Sequence, residues 1–267
     1  MMNEQKKNFK IVSDTRARVI LPNTLTLIGV CVGLTSINFA LNGNFKLAII
    51  AILVAAIIDG LDGRIARLIR GTSKVGKELD SLTDVISFGV APAFIMYFWS
   101  LNSLGKIGWL LSLIYVVCTA LRLARFNINT GGELSWKDNF FEGIPSPAGG
   151  ILVLSPLVYD VSGLDIITLN YQIVTPIVFI VISILLISKI PTYSLKKIIV
   201  PRSTTIFLLF GIVLLFGLLL IFPFKVLAIG STIYVLTIPA SIIHYKKIKK
   251  DFTSDYKSSN DEPEDVL

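Results

Sequence analysis

Four carboxylates interrupt the apolar runs of this sequence. Asp59 and Asp62 close one run, Asp80 and Asp84 open the next, and a short basic stretch separates the pairs. At about 100° per residue on a helix, the step from Asp59 to Asp62 leaves the side chains about 60° apart, and the step from Asp80 to Asp84 about 40°, so each pair shares a face. Carboxylates at the edge of an apolar segment are costly to hold there and usually face a polar cavity, where they pair with a cation or do chemistry. Arg64, Arg67 and Arg70 offer one answer, a salt-bridged helical hairpin and nothing more. A divalent cation is the other: hard oxygen donors suit Mg²⁺ or Mn²⁺, and carboxylates on two antiparallel helices can hold a pair of ions. Zinc is disfavoured because no His or Cys lies near the four aspartates.

Glycine usage sharpens the second answer. Gly60, Gly63 and Gly76 are poor residues for helix interiors unless something must come close to the backbone. With Ala66 they leave one face of the hairpin bare beside the carboxylates and Arg67. Such a face fits a phosphorylated, planar ligand bridged by metal and approached from the cytoplasm.

The elements that hold these residues are membrane helices. The chain has 267 residues, 53% hydrophobic and 16% charged, and a mean hydropathy of +0.74, too apolar for an ordinary soluble domain. Its apolar residues come in eight runs, near 22–41, 45–62, 82–101, 105–124, 147–161, 171–189, 204–222 and 225–244, separated by turn residues such as Asn42-Gly43-Asn44 and by Pro191 and Pro223. The sequence therefore predicts an all-α, polytopic helix bundle of about eight transmembrane helices. The first run follows about 20 polar residues containing Glu4 and Asp14, the wrong layout for a cleaved signal peptide. Cys31 and Cys118 both lie inside apolar runs, which argues against a disulfide framework, and His244 reads as an interfacial residue at a helix end.

The net charge of +7 fits the same picture. With both termini cytoplasmic, 22 of the 25 Lys and Arg fall on the inner side, leaving only Lys46, Lys106 and Lys225 outside. Topology and attraction to anionic inner-leaflet lipid account for the excess, and no nucleic-acid partner is required. Residues 246–267, basic and then rich in Ser, Asn, Asp and Glu, read as a disordered, solvated tail. Trp99, Trp109 and Trp136 read as interface or packing residues, and Lys189, Lys196 and Arg202 as snorkelling or lipid-attracting cations.

The string Asp59-Gly60-Leu61-Asp62-Gly63-Arg64-Ile65-Ala66-Arg67, followed by Gly76, Asp80 and Asp84 at their observed spacing, resembles the signature of the CDP-alcohol phosphotransferases at all eight defined identities across 26 positions. Three flanking stretches, Leu21–Thr26, Arg122–Asn127 and Glu142–Pro147, are similar to the bacterial and archaeal branch that transfers the phosphatidyl group of CDP-diacylglycerol to serine. The resemblance covers roughly residues 18–200. It implies a cytoplasmic tail at 1–18, a six-helix catalytic core at 19–200 and an additional transmembrane hairpin at 201–245, in a bacterial inner membrane.

It also implies roles. Asp59, Asp62 and Asp80 match metal-binding aspartates, and Asp84 matches the general base, also close to the two Mg²⁺ or Mn²⁺ ions. Gly63, Arg67 and Ser73 match positions that contact the CDP-linked substrate, Gly60, Ala66 and Gly76 match or adjoin those that leave it room, and Asn23 and Thr26 are candidates for the same nucleotide pocket. Serine needs a site for its carboxylate. Arg122 and Arg125 are candidates for a bidentate clamp, or alternatively anchor the inner end of the fourth helix. Three readings stay open on sequence alone: serine as the acceptor; glycerol 3-phosphate or an inositol phosphate, which would demand a further basic cluster; and a transporter, which should show two related halves with broken helices. Besides substrates and membrane lipid, a second copy of the chain is a conceivable partner.

Overall fold

The computed structural model describes residues 15–69, 71, 73–129, 140–164, 170–193 and 202–260. Arg70, Trp136, Lys196, Lys197 and the tail after Asn260 lie outside the described residues, as does the side chain of Arg202. All eight apolar runs fall on helical rods. Helix α1 spans Thr15–Leu41 and α2 Phe45–Leu68, and the third rod joins α3 (Lys74–Asp84), a π-helical turn (Val85–Val90) and α4 (Ala91–Trp99). After a 3₁₀ turn at Leu101–Leu104 come α5 (Lys106–Asn129), α6 (Ser146–Val153), α7 (Ser155–Ser162), α8 (Tyr171–Ile187), α9 (Arg202–Ile221) and α10 (Pro223–Asn260). By length and composition, four stretches could cross a bilayer unaided: Ile20–Leu41, Lys74–Trp99, Lys106–Ile128 and Pro223–Lys246. Tyr171–Ile187 and Thr205–Ile221 are shorter apolar helices.

Two features depart from an uninterrupted bundle. The fifth run is two helices, because Leu154 breaks the rod and Pro156 opens α7, where its missing N–H costs nothing. Among the described residues the all-α architecture also carries one small antiparallel ladder, β1 (Phe140–Glu142) against β2 (Pro191–Tyr193). The last helix is long. Helix α10 continues through Asn260, some 57 Å in all at about 1.5 Å per residue, because the chain from Ala240 to Asn260 contains neither Gly nor Pro.

Small residues let the first two helices approach closely. Ala48, Ala51 and Ala55 are buried on α2, and Ala40 on α1. The core continues through Phe88, Ile95, Met96, Tyr115 and Phe179, the last two rings lying edge to face with centroids 5.5 Å apart. The π-helical turn is buried here. Widening the helix leaves the Phe88 carbonyl available, and the Tyr115 hydroxyl donates to it at 2.7 Å. Helix α9 is apolar on every side and packs against α10, which in turn packs on α7 and β2.

Candidate active site

The buried stripe of α2 runs through Ala48, Ile52 and Ala55 at helical spacing, and Asp59 and Asp62 continue it to the inner end. Packing of the apolar part therefore aims both carboxylates inward, and Asp62 is only 3% exposed. On the facing rod, Ser73 caps α3 by accepting a hydrogen bond from the Gly76 amide at 2.9 Å. This fixes the first turn, and so the register of Asp80 and Asp84 two and three turns later.

The two pairs meet. Asp59, Asp62 and Asp80 can each present a carboxylate oxygen within 4.8 Å of the others, and the carboxyls of Asp59 and Asp84 stand within hydrogen-bonding reach. Thr26 on α1 donates to Asp62 Oδ2 at 2.6 Å, with the Pro22 carbonyl an alternative acceptor at 3.0 Å. Asp62 Oδ1 and Asp84 Oδ1 are buried with no hydrogen-bond partner among the described residues. Unpartnered buried carboxylate oxygens are expensive, and four neighbouring carboxylates repel one another. One or two cations among them would offset both costs, and an all-oxygen donor set suits a hard divalent ion. The arginine-paired hairpin accounts for less: Arg67 is exposed and attracts Asp80, yet among the described residues the two buried oxygens have no guanidinium partner.

A cavity of about 490 Å³ opens beside the cluster. Its lining includes Asn23, Thr26, Asp62, Gly63, Ala66, Arg67, Ser73, Gly76 and Asp80, together with Pro22, Gly71, Lys74 and Lys77. Seven of the eight residues expected around the nucleotide are thus brought together. Gly76 has a specific reason to lack a side chain, since a Cβ there would sit 2.8 Å from Asn23 Oδ1. The eighth, Gly60, is exposed away from this lining, and a Cβ on it would meet nothing within 4 Å. The bare face extends past Gly63 and Ala66 but does not need Gly60 to admit protein neighbours.

A second cavity, about 110 Å³, lies about one turn further along the same rod and shares Lys77 and Asp80 with the first. Asp84, Ser81, Arg122, Asn127 and Ser146 also line it. Here the two candidate acceptor arginines part company. Arg122 is 8% exposed, donates through Nη1 to the Ser146 hydroxyl and attracts Asp84, and its Nε is buried without a hydrogen-bond partner. Arg125 instead donates to the Ile187 carbonyl at 2.6 Å and the Ser188 carbonyl at 3.1 Å, so it caps the C-terminus of α8.

Sequence reasoning passed over Ser146, Asn127, Ser81 and Lys77. Ser146 and Asn127 lie within stretches already singled out, at Glu142–Pro147 and Arg122–Asn127, so the signal was present but not read residue by residue. Lys77 was counted only as inner-side charge. Asn127 donates to the Ser81 hydroxyl at 2.9 Å, a pairing across two rods that spacing along the chain cannot suggest.

A family model described as CDP-alcohol phosphatidyltransferase matches residues 19–186, which takes in the rods from α1 to α8. A CDP-diacylglycerol–serine O-phosphatidyltransferase of Mycobacterium leprae is 47% identical over 140 residues, 52% of this chain and 46% of that protein. One of Bacillus subtilis is 36% identical over 162 residues, 60% of this chain and 89% of the relative. An archaetidylserine synthase of Methanothermobacter thermautotrophicus is 35% identical over 160 residues, 58% and 61% respectively. The chain spans about half the length of the mycobacterial relatives it matches.

Proposed function

The chain belongs to the CDP-alcohol phosphatidyltransferase family, and from that premise we propose that it transfers the phosphatidyl group of CDP-diacylglycerol to the hydroxyl of L-serine, giving phosphatidylserine and CMP. The observation that carries this reading is the pair of cavities sharing Asp80, a large one beside Asp59 and Asp62 for the CDP moiety and a small one bounded by Asp84 and Arg122 for the acceptor. Family members depend on divalent cations, and the carboxylate cluster has the donors to hold them. Asp59, Asp62 and Asp80 would be the ligands, with Asp84 beside them, and Thr26 would hold Asp62 in its ligating orientation. When bound, two Mg²⁺ or Mn²⁺ ions would neutralise the diphosphate and stabilise the departing CMP.

The chain's own residues would do the rest. Asp84 takes the proton of the serine hydroxyl as its oxygen attacks the phosphorus bearing the diacylglycerol, and the phosphoanhydride bond to CMP breaks. Arg67 would hold the nucleotide end, with Asn23, Gly63, Ser73 and Gly76 beside it. Arg122, mostly desolvated and turned toward Asp84, is suited to clamp the serine carboxylate bidentately. An acceptor carrying phosphate would call for a larger basic cluster, and Arg125 is already committed to α8. The names of the relatives favour serine as well.

The helices and the inner-side cations fit an integral inner-membrane protein with both termini and the site cytoplasmic, where CDP and serine are found and the acyl chains stay in the leaflet. Purified protein incubated with CDP-diacylglycerol, Mg²⁺ and a panel of alcohols should release CMP with serine and little with glycerol 3-phosphate or inositol 1-phosphate. Release driven best by a phosphorylated alcohol would overturn the assignment of the acceptor.

A further inference from the structure

Arg122 is a long side chain in a small space, and one contact decides which part of it is left for the acceptor. Its Nη1 donates to the Ser146 hydroxyl, and both residues line the smaller cavity together with Asp84. Its Nε is buried with no hydrogen-bond partner among the described residues. Nε and Nη2 form one edge of a guanidinium, two parallel N–H groups at the spacing of the oxygens of a carboxylate. Holding Nη1 leaves that edge as the fork.

Ser146 can hold Arg122 because its own place is fixed. It opens α6 and is 1% exposed. Three residues earlier, Gly143 is pinned beside the end of α8: its amide donates to the Ile190 carbonyl at 2.9 Å, and its carbonyl accepts from the Thr192 hydroxyl at 2.7 Å. Gly143 has φ +74°, and a Cβ there would stand 2.9 Å from the carbonyl oxygens of Leu186 and Ser188, so only glycine lets the chain lie this close. Pro145, whose ring fixes φ and whose carbonyl accepts from the Gly149 amide at 2.8 Å, carries that placement on to Ser146.

We propose that Ser146 is a positioning residue for the acceptor: tied to Nη1, it turns the Nε–Nη2 edge of Arg122 toward the carboxylate of the incoming amino alcohol. An untethered arginine gives up rotamer freedom each time it binds, whereas one already held has less to lose, so the tether acts on acceptor affinity. The inference rests on the reading of Arg122 as the acceptor clamp.

The test is steady-state kinetics of the full-length protein in lipid. Ser146→Ala removes the hydroxyl and suits a helix, and it should raise the KM for serine about tenfold, the effect of one hydrogen bond to a charged group, with the KM for CDP-diacylglycerol unchanged. Arg122→Lys loses the fork and should raise the serine KM as well, and in the double mutant the two effects should be far less than additive. Tyr159→Phe is the control. That hydroxyl docks α10 through the Ala228 carbonyl at 3.1 Å and the Thr232 hydroxyl, Tyr159 lines neither cavity, and its loss should leave the serine KM unchanged. Additive effects would mean that Ser146 acts independently of Arg122, and the proposal fails. It fails too if Ser146→Ala raises both KM values alike, as a brace of the fold would, or if Arg122→Lys raises the serine KM and Ser146→Ala does not; the clamp itself survives that last result. If Arg122→Lys leaves the serine KM unchanged, the clamp and the inference fall together.

Discussion

The four aspartates differ in what surrounds them, and those differences would divide the work among them in the proposed reaction. Asp62 is buried and held by Thr26, whereas Asp84 faces both Asp59 and the smaller cavity with Arg122. Asp84→Asn should therefore abolish transfer, by a factor of about a thousand or more, while CDP-diacylglycerol binding survives. Binding of a labelled CDP-diacylglycerol alongside CMP release would measure both, and turnover at the normal rate would remove Asp84 from the base role. Thr26 acts one step further out. Thr26→Val keeps the shape but removes the donor at 2.6 Å from Asp62, so the Mg²⁺ concentration giving half-maximal activity should rise about tenfold or more. An unchanged Mg²⁺ dependence would mean that Asp62 needs no orienting partner. The aspartates, and seven of the eight residues expected around the nucleotide, were legible in the sequence because their spacing is set within single helices. Ser146 and Asn127 were not, since each acquires its importance from a contact between rods.

At the level of elements, the site depends on how helices start and stop. Ser73 sets the register of α3, and the π-helical turn after Asp84 is tied to α5 through the Tyr115 hydroxyl. Arg125 stabilises the end of α8, where it satisfies carbonyls that the helix cannot. Arg125→Ala should lower thermal stability by roughly 1–2 kcal/mol, the worth of charge-assisted bonds at a helix C-terminus, and leave the serine KM intact. Thermal unfolding in detergent together with serine titration would separate these effects, and a raised serine KM at unchanged stability would restore Arg125 to the acceptor site. Hydropathy located all eight rods, but missed the break at Leu154 and the helical continuation to Asn260. The first comes from a local choice beside Pro156 that an apolar run conceals. The second comes from helix propensity persisting in a segment whose polarity suggested disorder.

For the molecule as a whole, the aspartate hairpin, the C-terminal ends of α5 and α8 and the strand pair lie together, joined by Asn127–Ser81, Arg125–Ser188 and the β1–β2 ladder. In a background lacking Cys31 and Cys118, Asn44→Cys and Ser103→Cys should react with a membrane-impermeant maleimide in intact cells, and Lys189→Cys only after the membrane is opened. Labelling in the opposite order would invert the expected topology and put the aspartate hairpin on the outer side. The α9–α10 hairpin was visible as two apolar runs, but the packing of α10 on α7 and β2 was not, because nothing local in the sequence pairs those elements.

The central claim is that the carboxylate cluster works by holding divalent cations against the diphosphate. Serine-dependent CMP release by the purified protein, followed as EDTA is added and then titrated out with Mg²⁺ or Mn²⁺, tests it most directly. Release should stop on chelation and return with either cation, while Asp59→Ala, Asp62→Ala and Asp80→Ala proteins stay inactive throughout. Full release in metal-free buffer would contradict the account.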